Sequence, residues 1–379
     1  MPRVQPRIYF DSASTTNVNP DVLKTYEQLL EHHFANSESL YEEGAEVSRM
    51  LETARRAIAD LLHVQADEVL FTGGSSESNS EAVKGVCLAC PGRKHIITTR
   101  IEHSSILNSC RQMERLFGYR VTYLDVNGQG VVSAADLKKA LCEDTALVSV
   151  MMVNNETGAV NPVEEIGEIV KKQSHAYFHC DLTQAMGKIP CDLSRMDLAS
   201  MSAHKLEGLK GSGILIKKRH VPMESLISGG EQEQGLRGGT SNACANMVFA
   251  KTLRLALEQE RSSHAHIVRL HERMMEGLGG IRGIEINSPR DGVPNIVNFS
   301  CEQIPSEVMQ NALDQAGFQI SSRSTCEAKS NNPSYVLQAM GFSDRRASCS
   351  IRVSFSASNT EEEVDAFLAA LKEIIRHYG

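Results

Sequence analysis

The stretch 198–213, LASMSAHKLEGLKGSG, sets Ser202, His204 and Lys205 at the end of a small apolar run and then breaks into glycine. A lysine ending a buried strand is costly while charged, and burial favours its neutral amine. A neutral amine attacks carbonyls, which is the Schiff-base chemistry that holds pyridoxal phosphate in enzymes. The same residues also suit a surface lysine that only opens a loop. Gly208-Leu209-Lys210-Gly211-Ser212 lacks the order and spacing of a nucleotide P-loop. Gly73-Gly74-Ser75-Ser76 precedes a helical pattern and offers a phosphate backbone donors, hydroxyls and a positive dipole end, although a plain turn with a serine cap reads alike.

Other candidates carry complementary chemistry. Asp181 follows an apolar run, where a carboxylate can keep a pyridine nitrogen protonated. His103 can stack on a ring and handle protons, or serve only as a structural histidine. Asn155 and Gln184 are neutral groups able to hold a phenolate oxygen or part of a substrate. Arg352, in SIRVS, is a cation within a strand pattern, and its fork suits an α-carboxylate. Cys326 lies in the polar stretch SSRSTCEAKSNNPSY, where Arg323 and Lys329 favour its thiolate and Glu327 opposes it. Cys87, Cys90, Cys142 and Cys244 have apolar surroundings that suit core thiols, and the lone Cys87/Cys90 spacing makes no metal motif.

These residues need elements to position them. Asn19-Pro20 reads as a cap and first-turn proline, and an amphipathic helix is expected over 43–62. Strand patterns at 68–72, 95–101, 120–126, 146–153, 176–180, 197–203 and 213–217 alternate with helical patterns at 77–88, 104–116, 133–141 and 163–173. This alternation predicts an α/β fold with a seven-stranded, mostly parallel sheet between helix layers. The polar clusters follow the strands, where open parallel sheets bind ligands. Two helices are expected at 243–259 and 263–277. A smaller α+β unit follows, with strands at 294–300 and 350–356, helices at 306–316, 333–340 and 360–377, and a polar loop at 321–332. The expected division is a large domain over 16–255 and a small domain made of 1–15 and 256–379, the latter carrying the Cys326 loop.

The 379 residues suffice for two or three packing units, with a formal charge of −8 and ten cysteines. That charge argues against a nucleic-acid footprint or an anionic membrane surface. No apolar run is long enough to span a bilayer, and the N-terminus lacks a signal-peptide core. A cytoplasmic location is the simplest expectation, with the cysteines left as thiols.

FDSASTT, FTGGSSESN, IEHSS, MMVNNETG, FHCDLTQAMGK, SAHKLEGLKGSG, GGEQEQGLRGGT, PNIVN, STC…PSYVL and SIRVSFS occur in an order and spacing covering nearly the whole chain. In this the chain resembles the NifS/IscS-like cysteine desulfurases, class-V, fold-type-I enzymes dependent on pyridoxal 5'-phosphate (PLP). The resemblance implies that Lys205 holds the cofactor aldehyde, Asp181 pairs with its ring nitrogen, His103 stacks on the ring and Gln184 meets the ring oxygen. It implies that Ser75, Ser76, Ser202 and His204 hold the phosphate, with Thr240 reaching it from the other subunit of a homodimer. Asn155 and Arg352 would orient L-cysteine. Cys326 would take its sulfur as a persulfide, release alanine, and pass the sulfur to an acceptor protein for iron–sulfur, thiocofactor or tRNA-thiolation chemistry. Arg323 stands where the family usually has glycine, Tyr41 where histidine is common, and Ala203 where glycine is common. Alternatives are a selenocysteine lyase, another class-V C–S lyase or aminotransferase, and a non-catalytic binding partner of the same fold. Attack by a Cys326 thiolate is needed for sulfur, less so for selenium, and has no role in transamination, and Lys205, Asp181 and Arg352 together argue against the last.

Overall fold

The computed structural model describes residues 7–322 and 332–378, so Cys326 and Arg323 lie outside the described residues. A short strand β1 (Ile8–Tyr9) opens the described chain. The large sheet comprises β2 (Val69–Thr72), β3 (His95–Thr99), β4 (Arg120–Leu124), β5 (Thr145–Ser149), β6 (Tyr177–Asp181), β7 (Leu198–Ser202) and β8 (Gly213–Lys217). Their order is β2-β8-β7-β6-β5-β3-β4, and only β8 runs against its neighbours. The fold class is therefore the expected α/β one. β2, β3, β5, β7 and β8 are buried along their whole length, as parallel strands covered on both faces by helices must be.

The strand order reverses beside β3. The chain moves from β3 outward to β4, then returns to build β5, β6 and β7 on the other side. Such a reversal opens a crevice at the carboxyl ends of the strands, because successive crossovers diverge there. Asn19 caps the helix Pro20–His32, its side chain accepting from the Asp21 N–H at 2.9 Å with proline in the first turn. Helix Glu42–Leu62 buries Val47, Leu51, Ala54, Ile58 and Leu62 along one stripe.

The rest forms a second assembly. β9 (Glu285–Ile286), β10 (Ile296–Ser300) and β12 (Ser350–Ser354) make an antiparallel sheet in the order β12-β10-β9, and β11 (Phe318–Gln319) pairs in parallel with β1. Phe10 enters this assembly, meeting Phe355 and Phe367 edge to face. Among the described residues no helix is long and apolar enough to cross a membrane.

Two expectations are corrected. The two helices expected at 243–259 and 263–277 are one helix, Ala243–Gly279. The polar run Ser262-Ser263-His264 suggested a break, yet it contains neither glycine nor proline, and the Ser262 hydroxyl donates to the Gln259 carbonyl within the helix. Leu253 and Ala256 serve the core of the large sheet, whereas Ile267, Leu270 and Met274 serve the second core. The helix expected over 77–88 is Ser75–Ser80 and Val86–Ala89 joined by a π-helical turn, Glu81–Gly85.

Candidate active site

A cavity of about 160 Å³ opens at the carboxyl edge of the sheet, and seven separate chain segments supply its charged and polar walls, Ser14 of the N-terminal segment among them. Ser75 and Ser76 follow β2, His103 follows β3, Asn155 follows β5, and Asp181 and Gln184 lie at the end of β6. His204 and Lys205 form the turn after β7, and Arg352 arrives from β12 of the small sheet. Ser202 and Thr240 do not line this cavity. Ser202 is buried behind Gly74, and Thr240 is exposed on its own chain.

Lys205 donates from Nζ to the Ala13 carbonyl at 2.6 Å and also to the Ser14 carbonyl. The N-terminal segment thus holds the amine at the cavity wall. Asp181 is buried, with Oδ2 accepting from Asn79 Nδ2 at 2.7 Å and Oδ1 from the Thr183 N–H at 2.9 Å. Asn79 also donates to the Ser105 hydroxyl at 3.0 Å, and Ser105 stands 2.8 Å from His103 Nδ1. His103 caps the helix Ser104–Phe117 by accepting the Ser105 N–H on Nδ1. A neutral ring then carries its proton on Nε2. Burial favours that neutral ring and pulls the imidazole pKa down; Asp181 opposes this and Lys205 assists it.

At the other end, Gly74 takes a φ of +141° at the start of the helix, a conformation reserved for glycine. Gly213 is equally constrained, since a Cβ there would stand 2.5 Å from the Gly74 Cα. The first N–H groups of a helix have no partner inside it, so Ser75 and Ser76 present backbone and hydroxyl donors together. Burial, then Lys205 and Lys210, pull the His204 imidazole down to about 4. His204 is therefore a neutral hydrogen-bonding group at pH 7.

Arg352 is 1% exposed. Its guanidinium donates to Asp11 Oδ1 at 2.9 Å, to the Ser14 hydroxyl at 2.6 Å and to the Asn155 carbonyl at 2.8 Å. Arg352 Nε, Asn155 Oδ1 and Thr183 Oγ1 are buried with no hydrogen-bond partner among the described residues. Three orphaned polar atoms around one cavity are what a bound polar group would satisfy. Beneath the site, burial pushes the Glu102 carboxyl up to about 8, while hydrogen bonds from the Met151 N–H and Thr99 hydroxyl pull the other way.

The residues present suit a phosphorylated pyridine aldehyde. An amine, a buried carboxylate, an aromatic ring, a hydroxyl-rich helix start and a second cation are gathered around one space. Asp11, Ser14, Asn79 and Thr183 belong to the site but were not among the sequence candidates. Thr183 sits inside DLTQ and Asn79 lies four residues beyond Ser75, so both were within reach of motif spacing. Asp11 becomes visible only through its ion pair with Arg352, which stands 341 residues away.

The class-V aminotransferase family model matches residues 8–367. The chain is 42% identical to a NifS/IcsS protein homolog of Lactobacillus delbrueckii subsp. bulgaricus, covering 98% of each chain. It is 38% identical to a cysteine desulfurase IscS of Clostridium botulinum, covering 98% of this chain and 94% of that one. Among solved structures it resembles a NifS-like protein at a TM-score of 0.92 and 36% identity, covering 98% of this chain and all of the other.

Proposed function

Since this chain belongs to the class-V aminotransferase family, and its relatives there are NifS/IscS-like cysteine desulfurases, we propose a division of labour among its own residues for that reaction. The chain is a PLP-dependent cysteine desulfurase. The names of these relatives favour desulfuration over the lyase, aminotransferase and non-catalytic alternatives. The observation that carries the residue assignment is that Lys205, Asp181 and Arg352 meet in one cavity whose orphaned polar atoms await a ligand.

Lys205 would hold the cofactor aldehyde, and Asp181, fixed by Asn79 and the Thr183 N–H, would pair with its ring nitrogen. His103 would stack on the ring, Gln184 would meet the ring oxygen, and Ser75, Ser76, Ser202 and His204 would hold the phosphate. When bound, the cofactor supplies an electron sink that stabilises negative charge at the substrate carbons. Arg352 binds the α-carboxylate of L-cysteine, and Asn155 turns its free Oδ1 toward the substrate. Lys205 would also move protons on and off the substrate carbons. The Cys326 thiolate attacks the substrate sulfur. A new S–S bond forms, the Cβ–S bond breaks with its electron pair left on carbon, and that carbon takes a proton to become the methyl group of alanine.

The reading extends to a homodimer in which Thr240 reaches the partner's phosphate site. Phe34 and Leu40 are large apolar side chains left 84% and fully exposed on one chain, which favours a covering subunit. The proposed division is a large domain over 16–255 and a small one over 1–15 and 256–379. A cytoplasmic location and transfer of the persulfide sulfur to an acceptor protein complete the proposal.

The test follows alanine and sulfide release from L-cysteine, with selenocysteine in parallel. Cys326→Ser is expected to keep the cofactor colour and lose persulfide formation. Persulfide trapped on Cys180 or Cys349 instead would refute the assignment of the nucleophile.

A further inference from the structure

Gln184 lies between a lysine and a backbone carbonyl. Its Oε1 accepts from Lys188 Nζ at 2.7 Å, and its Nε2 donates to the Ala13 carbonyl at 2.8 Å. A carbonyl only accepts and the charged form of a lysine only donates, so with Lys188 charged the amide has a single orientation that satisfies both. The Ala13 carbonyl is shared, since Lys205 Nζ donates to it at 2.6 Å. Lys188, Gln184, Ala13 and Lys205 thus form one continuous hydrogen-bonded chain.

Lys188 and Lys205 also meet in a second cavity of about 60 Å³, which Glu207, Glu260 and His264 line as well. Gly187 lets Lys188 enter this corner. It has a φ of +68°, and a Cβ there would stand 3.0 Å from Ala256 and 3.1 Å from Leu206. The cost of gathering cations is visible in Lys188 itself: burial, then Lys205 and Arg352, pull its ammonium down to about 7, with Cys191 opposing.

We propose that Lys188 is a positioning residue that locks the Gln184 amide, so that this wall of the cofactor cavity donates a hydrogen bond and never accepts one. Nε2 carries two hydrogens, and one is committed to Ala13. The other is available to an oxygen of the bound cofactor ring and favours that oxygen as an anion. Without Lys188 only the Ala13 carbonyl opposes a turn of Oε1 toward the cavity, where it would repel the anion. The inference rests on the reading that places the cofactor ring oxygen at Gln184.

The experiment compares wild type, Lys188→Met, Gln184→Met and the double variant as cofactor-loaded proteins. It measures the dissociation constant for PLP and the pH midpoint of the near-visible absorbance change, neither of which requires turnover. Lys188→Met is expected to weaken PLP binding about 2- to 10-fold, the scale of one lost hydrogen bond. It should also shift the absorbance midpoint upward, because a ring anion without its donor binds a neighbouring proton more strongly. In the Gln184→Met background the same change should add almost nothing. Equal, additive effects in both backgrounds would overturn the proposal and assign Lys188 a purely electrostatic part. A Lys188→Met protein indistinguishable from wild type, with Gln184→Met impaired, would overturn it too. If Gln184→Met itself alters neither readout, the cofactor placement is what fails. Lys188→Gln, whose amide can either donate or accept, releases the same lock if the methionine variant does not fold.

Discussion

Replacing Arg352 by lysine isolates the recognition of the substrate carboxylate. The guanidinium is anchored by Asp11, Ser14 and the Asn155 carbonyl, while Nε is buried with no partner among the described residues. A lysine keeps the positive charge against Asp11, so it avoids leaving a partly buried carboxylate without a counter-ion. It cannot serve those anchors and a substrate carboxylate with a planar fork at once. One charge-assisted hydrogen bond contributes about 1.5–3 kcal/mol, and ~1.4 kcal/mol is tenfold, so affinity should fall roughly 10- to 150-fold. The assay is an absorbance titration of the cofactor-loaded protein with S-methyl-L-cysteine and with S-methylcysteamine, its decarboxylated counterpart. Wild type should prefer the amino acid strongly, and Arg352→Lys should lose most of that preference by weakening the amino acid alone. If both ligands weaken equally, Arg352 supports the architecture without reading the carboxylate, and the assignment is refuted.

Two further predictions concern buried charge. Glu81 is 1% exposed with both carboxylate oxygens unpartnered; burial and Glu77 push its carboxyl up to about 8 from 4.5, Glu233 adding to this and Arg237 opposing. A raised carboxyl pKa means that stability falls as pH climbs from the unfolded value through the folded one, by on the order of 3 kcal/mol between pH 5 and 8. Glu81→Gln should therefore raise the thermal midpoint more at pH 8 than at pH 5, and parallel shifts at both pH values would contradict this. Arg55 and Glu233 pair at 2.8 Å with side chains 8% and 6% exposed, and Glu233 also accepts the Phe71 N–H, tying the 228–240 loop to β2. Removing one partner of such a pair costs about 3–5 kcal/mol. Arg55→Met and Glu233→Leu should each melt lower than the double variant, and a double variant melting lowest would refute the coupling.

The large sheet is readable from sequence because most of its strands are buried on both faces and so appear as largely apolar runs. Lys205, Asp181 and His103 are readable for the same reason, since each lies within a few residues of the end of such a run. Helix Ala243–Gly279 is not, because solvent-facing serines in mid-helix carry the same signal as a loop. The pairing of β1 with β11 joins two strands of two residues each, too short for any periodicity. Asp11 and Ser14 escape for a deeper reason. Their part in the site exists only when β12 brings Arg352 against the N-terminal segment, and no local pattern encodes that contact. The orientation of Gln184 is also a tertiary property, set by Ala13 on one side and Lys188 on the other.

The central claim is that Lys205 is the amine that captures the cofactor. Borohydride reduction of the PLP-loaded protein, followed by digestion and mass spectrometry, locates the modified lysine. The account predicts a single pyridoxyl group on Lys205, lost in Lys205→Ala together with the near-visible absorbance. A reduced adduct on Lys188, Lys210 or any other lysine of the wild-type protein would contradict it.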